Sequence, residues 1–352
     1  MMATKRIDIN EFLRLSNFLP VIDVRSPSEY AHSHIPKAVS IPIFSDEERK
    51  EIGTTYKQKT RELAIKIGFD FFGKKMRAVI EQVEALLKEI ESKEVIVHCW
   101  RGGMRSNAFS WLLDFYGFKV YTLEGGYKGF RNWVLQELAA PHPLIILSGK
   151  TGSGKTEILN QIASQNIAVI DLEALAKHKG SAFGGIGMQI QDSNEQFENN
   201  LAIELLQIKE KIDKEHPIWL ESESSRIGDI NINYLFFNQM KTAPRVHIEI
   251  PFEERLAYIV EGYGQLKNEE LIKATERIQK RLGGLETRNV IQFITSGQIK
   301  EAFEILLRYY DKAYAKGNIY QQEVINIHFE KIDAQKNAGI IIKETEKYYG
   351  RK

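Results

Sequence analysis

Short apolar runs alternate along the chain with stretches in which apolar positions return at helical spacing, the pattern of an α/β protein. Pro20-Val21-Ile22-Asp23-Val24-Arg25 predicts a strand, and the Ser26-Pro27-Ser28-Glu29 that follows opens a helix or turn. Ala38–Ile43 is a second strand candidate. Asp46–Ile90 is rich in Lys, Glu and Leu at helical spacing, and Glu94–His98 then reads as a buried parallel strand. Ser106–Tyr116 predicts a helix, Val120–Leu123 a strand stopped by Gly125-Gly126, and Lys128–Ala139 another helix. Pro141-His142-Pro143 marks a boundary, which divides the chain into domains 1–140 and 141–352.

The second domain begins as a βαβ unit, with a strand at Leu144–Leu147, a loop at Gly149–Gly154, a helix at Lys155–Ser164 and a strand from Ile167 to Ile170. Pro217–Leu220 and Arg245–Ile250 are further strand candidates. From Phe252 onward the chain reads as charged and helical, with a late apolar run at Gly339–Ile342. The expected fold class is therefore α/β, a parallel sheet in each domain with a helical C-terminal region.

At roughly 100 to 200 residues per domain, 352 residues imply two domains, or at most three. Hydrophobic residues at 43% and charged residues at 27% exclude a disordered or fibrous chain. A formal charge of +1 provides no global field for nucleic acid or membrane, so a polyanionic partner must be met by a local patch. The one cysteine, Cys99, excludes an intramolecular disulfide framework and a multi-cysteine zinc site. Met1–Asn10 lacks an apolar signal core and no run is long enough to span a bilayer, so the expected location is the cytoplasm, with no membrane partner.

Two segments carry chemistry. In His98-Cys99-Trp100-Arg101-Gly102-Gly103-Met104-Arg105-Ser106 the cysteine stands where a buried strand ends and a helix begins. Gly102 and Gly103 let successive N–H groups turn inward as an anion nest, and the helix N-terminus with Arg101 and Arg105 favours thiolate, the nucleophilic form. His98 precedes the nucleophile on the strand and, by side-chain alternation, points away from it, so it receives no catalytic role. Trp100 packs against or covers the loop.

The other segment is Gly149-Lys150-Thr151-Gly152-Ser153-Gly154-Lys155-Thr156, a Walker A loop set between an apolar strand and a helix. Amides around Gly149, Gly152 and Gly154 would wrap a diphosphate, Lys155 would neutralise it, and Thr156 could ligate Mg2+. A matching metal acid is not evident. Asp171 ends one strand, while Glu221 and Glu223 follow another, and no metal ligand set is assigned.

Asp23-Val24-Arg25, Glu29-Tyr30, His34-Ile35-Pro36-x-Ala38, the cysteine loop and Leu123-Glu124-Gly125-Gly126-Tyr127 together resemble the rhodanese family of sulfur-transfer domains, in order across residues 1–140. Many single-domain rhodaneses have four residues between the cysteine and the loop arginine. Here there are five, which also spells the His-Cys-x5-Arg signature of cysteine phosphatases.

A rhodanese-like domain joined to a P-loop domain is similar to the bacterial tRNA 2-selenouridine synthases, also described as tRNA S-geranyltransferases. Asp171-Leu172-Glu173-x-Leu175-Ala176-x-His178-x-Gly180-Ser181 and Glu221-x-Glu223-Ser224-x-Arg226-Ile227-Gly228 belong to the likeness, as does the longer cysteine loop. The resemblance implies a transferase acting on a wobble 2-thiouridine of tRNA. Its sulfur attacks geranyl diphosphate and releases diphosphate; selenium from selenophosphate then replaces the geranylthio group. On this likeness Cys99 carries the chalcogen, Arg101, Gly102, Gly103 and Arg105 form its cradle, and Gly149, Gly152, Gly154, Lys155 and Thr156 hold diphosphate. Asp171, Glu173, His178, Ser181, Glu221, Glu223 and Arg226 are the substrate contacts.

No tightly bound cofactor is expected beyond the co-substrates geranyl diphosphate and selenophosphate and an optional Mg2+. Partners are tRNA and an enzyme supplying selenophosphate. For tRNA, Lys177, Lys179 and a helix carrying Lys273, Arg277, Lys280, Arg281 and Arg288 provide positive charge, with Tyr263, Tyr309 and Tyr310 as aromatic surfaces. The competing reading is a P-loop kinase or NTPase with a phosphatase-like or regulatory rhodanese module. A thiosulfate sulfurtransferase with a structural P-loop is a third.

Overall fold

The computed structural model describes residues 4–88, 90, 92–211, 216–317 and 324–349, so residues 1–3 of the N-terminal stretch and Glu89 in the Asp46–Ile90 run lie outside the described residues. The chain divides into unit 1, Met1–Glu137 with Glu198–Ile203, and unit 2, Leu138–Phe197 with Glu204–Lys352.

Unit 1 begins with β1 (Lys5–Ile7), α1 (Ile9–Leu15), β2 (Val21–Asp23), α2 (Pro27–His32) and β3 (Val39–Ser40). Three consecutive helices follow, α3 (Asp46–Gln58), α4 (Arg61–Gly73) and α5 (Met76–Lys88), and then β4 (Glu94–His98), α6 (Met104–Tyr116), β5 (Lys119–Leu123) and α7 (Gly126–Ala139). Local chemistry sets the helix starts. Asp8 accepts the Glu11 amide at 2.8 Å to cap α1, Ser45 and Glu48 form a reciprocal capping box on α3, and Thr60 caps α4. The five strands are all parallel in the order β1-β5-β4-β2-β3. β4 is central, and its Val95, Ile96 and Val97 are fully buried because helices cover both faces of such a sheet.

Two details of unit 1 differ from the sequence reading. The strand expected over Ala38–Ile43 is only the two residues of β3, since Pro42 has no N–H for a ladder and the chain turns Ile41 and Ile43 into the core instead. β1 carries no apolar run, because an edge strand of three residues pairs on one side only.

Unit 2 contains β6 (Leu144–Gly149), α8 (Lys155–Ala163), β7 (Val169–Ile170), α9 (Leu172–Ala176), α10 (Asn194–Lys211), β8 (Ile218–Glu221) and a small antiparallel hairpin of β9 (Arg226–Ile227) and β10 (Ile230–Asn231). It continues through α11 (Tyr234–Thr242), β11 (Arg245–Glu249), α12 (Phe252–Tyr263), α13 (Asn268–Arg277), α14 (Gln279–Leu282), α15 (Gly284–Thr295), α16 (Ile299–Gly317), β12 (Val324–His328) and α17 (Ala334–Tyr349). The second parallel sheet runs β12-β11-β6-β8-β7, with β6 in the middle. One core lies where α8 and α17 cover this sheet, through Ile158, Ile162, Ile341 and Trp219. A separate core, Leu256, Leu271, Val290, Phe303 and Leu306, joins α12, α13, α15 and α16.

The C-terminal region is not wholly helical. β12 returns to pair in register with β11, Arg245 opposite Val324 through Glu249 opposite His328. The Gly339–Ile342 run lies within α17, where Ile341 is fully buried and Ile340 is exposed. Among the described residues no helix is long and apolar enough to cross a membrane.

Candidate active site

Cys99 leaves the end of β4 and its thiol is buried against the first turn of α6. The Gly103 amide donates to Sγ at 3.3 Å, and Ser106 Oγ lies 3.3 Å from it on the other side. Burial by itself would raise this thiol, but the Ser106 hydroxyl, the amides of Gly103 and Ser106 and the Arg105 charge outweigh it and hold it below the ordinary cysteine value. Gly102 adopts φ +64°, and a Cβ there would lie 2.8 Å from the Leu123 carbonyl. The Gly125-Gly126 turn approaches from behind. Tyr127 and Lys128 amides donate to the carbonyls of Cys99 and Trp100 at 2.8 and 2.9 Å, so the two loops hold each other's backbone.

The two loop arginines differ in role. Arg105 forms a two-pronged ion pair with Glu29, at 2.5 and 3.2 Å, and reaches the thiol as a nearby charge. Arg101 is exposed. Beneath the loop, Arg25 is fully buried, paired to both oxygens of Asp23, donating to the Ser33 carbonyl at 2.7 Å, and stacked 3.9 Å above the Tyr127 ring. Tyr127 in turn donates to Ser33 Oγ at 2.8 Å and accepts from Asn199 at 2.9 Å. His98 is wholly buried on the face away from Cys99, 3.7 Å from Asp23, and burial lowers its basicity so that it is held neutral. Asp23 and Arg25 are thus scaffold for the loop. Asn199, from the Glu198–Ile203 turns of α10, is a contributor that no local pattern announces.

In unit 2 the Walker loop has the geometry its glycines permit, Gly152 at φ +80° and Gly154 at φ +69°. Lys155 Nζ stands 3.3 Å from Glu221 Oε1, and Thr156 Oγ1 donates to Glu221 Oε2 at 3.0 Å. Glu221 ends β8, which pairs beside β6 with Leu147 opposite Glu221. Of the three carboxylates that the sequence left open as a metal acid, Glu221 therefore stands at the strand neighbouring the P-loop. Burial would lower Lys155, but Glu221, Tyr314 and Glu223 reverse that and keep it charged. Arg255 was not foreseen. It is buried, donates to the Thr151 carbonyl of the loop at 3.0 Å, and is gripped by Asp311 at 2.9 and 2.7 Å. Partners 56 positions apart leave no spacing signal.

Glu173, Glu221 and Glu223 bring carboxylate oxygens within 4.8 Å of one another. Burial and the charge of Glu221 push both Glu173 and Glu223 well above the ordinary carboxylate range. An all-oxygen set of carboxyl groups of this kind suits a hard divalent cation such as Mg2+, whose charge would take the place of those protons. Gly180 closes over the group, where a Cβ would lie 2.8 Å from Glu173 and 3.1 Å from Glu223. Among the remaining predicted contacts, Asp171 caps α9 through the Ala174 amide at 2.8 Å, and Ser181 accepts from Phe183 N–H at 3.3 Å. His178 packs against Gly228, with burial holding it neutral. Arg226 does not join the cluster, because it is exposed and bound to the Gly228 carbonyl and Asp229, both at 2.7 Å.

The single basic helix expected for tRNA is three. Lys273 and Arg277 lie on α13, Lys280 and Arg281 on α14 and Arg288 on α15, because the chain breaks at Ile278 and at Gly283 with φ +98°. Lys177 is paired with Asp192 at 2.9 Å, and Lys179 sits over the Tyr263 ring. Tyr263, Tyr309 and Tyr310 pack against the α12–α16 core, which occupies the aromatic surfaces that stacking would need.

Comparison with known proteins follows the same division. Residues 8–132 match the rhodanese-like domain family, and residues 142–337 match the family described as the tRNA 2-selenouridine synthase AAA domain. A protein of Shewanella denitrificans named tRNA 2-selenouridine synthase is 34% identical over 84% of this chain and 87% of its own length. One of the same name from Bdellovibrio bacteriovorus is 30% identical over 87% and 90%. Another from Nitrosomonas europaea is 35% identical over 69% of this chain and 63% of its own length. This chain belongs to the tRNA 2-selenouridine synthase family.

Proposed function

We propose that the protein modifies the wobble uridine of tRNA, converting 2-thiouridine to 2-selenouridine in two steps divided between its units. In the first, the 2-thio sulfur attacks C1 of geranyl diphosphate; the C–O bond breaks and diphosphate leaves. The P-loop amides, Lys155 and Thr156 receive the charge that develops on the departing group, which is where fixed donors lower a barrier most. Glu173, Glu221 and Glu223 would hold Mg2+, which when bound supplies further neutralisation of the diphosphate. In the second step the Cys99 thiolate attacks the phosphorus of selenophosphate, the P–Se bond breaks and hydroselenide is released; hydroselenide adds at C2, the geranylthio group leaves as geranylthiol, and water returns the S-phosphocysteine to thiolate and phosphate. The Gly102 and Gly103 backbone forms the cradle for the phosphoryl group, with Arg101 and Arg105 attracting the anionic donor.

The observation that carries this reading is the thiol of Cys99, the one cysteine of the chain, held below its ordinary value at the mouth of a glycine-lined loop. The test is mass spectrometry of nucleosides after incubating 2-thiouridine tRNA with geranyl diphosphate and selenophosphate. Lys155→Ala should fail to make geranylthiouridine, and Cys99→Ala should accumulate it. Wild type leaving tRNA unchanged where a known synthase works would sink the reading.

One observation favours a second reading, nucleotide hydrolysis or phosphoryl transfer by unit 2. Glu221 beside Lys155 and Thr156 is the acid a metal–nucleotide site requires. Rapid ATP or GTP turnover in the absence of tRNA would favour it.

A further inference from the structure

Outside the cysteine loop, one face of α3 borders a cavity of about 390 Å3 lined by Arg49, Lys50, Gly53, Thr54, Lys57 and Gln58. Three of these six are cations and none is an anion. Three of the four carboxylates of the same helix are engaged, and the fourth, Glu51, is exposed beside Lys50. Asp46 accepts from the Ser28 amide and hydroxyl at 3.0 and 2.5 Å, Glu47 from Ser45 at 2.8 Å, and Glu48 is paired with Lys75. The Arg49 guanidinium lies over Gly53, its Nη1 2.6 Å from where a Cβ would stand. From Arg49 to Lys57 the helix advances about 12 Å, and Lys50 and Lys57 are exposed.

The groove is joined to the cysteine. Arg49 Nε lies 3.8 Å from Glu29, the same carboxylate that clamps Arg105 at 2.5 Å, and Arg105 is a charge that helps hold the Cys99 thiol below its ordinary value. We propose that the α3 groove seats the phosphate backbone of the RNA substrate alongside the cysteine loop. This rests on the tRNA reading above. A single phosphate would need donors converging on one point, whereas cations strung over two helical turns and open to solvent match a polyanion. With a net charge of only +1, attraction for RNA has to be local, and this patch provides it on the unit that holds the nucleophile.

The experiment uses the full chain, comparing wild type with Lys50→Gln/Lys57→Gln and with Lys88→Gln/Lys93→Gln, two exposed lysines of unit 1 outside the groove. Each is titrated with 2-thiouridine tRNA across a salt series, while the Cys99 alkylation rate reports an intact loop. The α3 variant should bind about tenfold more weakly near physiological salt, with the slope of log K against log salt shallower by about 1.5 to 2. The other pair should match wild type, and millimolar inorganic phosphate should not displace tRNA. Wild-type affinity and slope in the α3 variant, an equal loss in the other pair, or displacement by phosphate would each overturn the groove. Wild type that binds tRNA without modifying it counts against the reaction proposed above while the slopes still decide the groove; wild type that does not bind tRNA overturns both.

Discussion

Replacing Ser106 with alanine tests the physical basis of the reactive thiol. The Ser106 hydroxyl has one hydrogen and two neighbours, the Gly103 carbonyl at 3.1 Å and Cys99 Sγ at 3.3 Å. When the thiol is neutral, that hydrogen serves the carbonyl; when the thiolate forms, turning it toward sulfur satisfies a buried charge. Both residues are almost fully buried, at 0% and 3% exposure, so water cannot substitute for the lost donor. A hydrogen bond to a charged group contributes about 1.5 to 3 kcal/mol, and about 1.4 kcal/mol is one pH unit. Ser106→Ala should therefore raise the midpoint of Cys99 alkylation by about one to two pH units. With one cysteine in the chain, iodoacetamide labelling followed by intact mass reads this site alone. A midpoint unmoved in Ser106→Ala, with the protein still folded, would show that the Gly103 amide and Arg105 suffice and that the reasoning overvalues the hydroxyl.

Two further outcomes follow from the geometry. Gly126 sits at φ +55°, and a Cβ there would lie 2.3 Å from the Cys99 carbonyl and 2.5 Å from the Gly102 amide, so Gly126→Ala should destabilise unit 1 by about 2 to 5 kcal/mol and deregulate Cys99 labelling; an unchanged denaturation midpoint would contradict the packing of the two loops. In unit 2, Glu173 and Glu223 have raised values, meaning the folded state holds protons that the unfolded chain releases. Their stabilising contribution is complete below the unfolded carboxylate value and is lost as pH rises through the raised ones. The melting temperature of unit 2 should thus fall as pH climbs above the ordinary carboxylate range, less so in Glu223→Gln and less so with millimolar Mg2+; a profile identical in Glu223→Gln would refute the assignment.

Much of this protein was legible in its sequence because the information is local. Walker glycines, the strand before them and the lysine after them are contiguous, and the fold of such a loop follows from positive φ and orphan helix amides. The same holds for the position of Cys99 between β4 and α6, where an apolar run, two glycines and a helix start are enough to place the thiol at a strand-to-helix turn. Edge strands were not legible. β1 and β12 are recognised only by the neighbour they pair with, and β3 is cut short by a proline whose effect depends on the ladder it would have joined.

What tertiary structure alone decided is which charges meet. Sequence named Glu173, Glu221 and Glu223 separately and left the metal acid open; parallel pairing of β8 beside β6 puts Glu221 on Lys155 and Thr156, and the turn at Gly180 folds Glu173 against Glu223. The clamp of Arg255 on Thr151 by way of Asp311, and of Arg105 by Glu29 across 76 positions, likewise has no signature along the chain. Nor does the interruption of the basic run into α13, α14 and α15, which helical spacing read as one face. Short-range sterics and backbone hydrogen bonding act between neighbours in sequence and can be read there. Burial and electrostatics act between neighbours in space, and only the folded chain determines who those neighbours are.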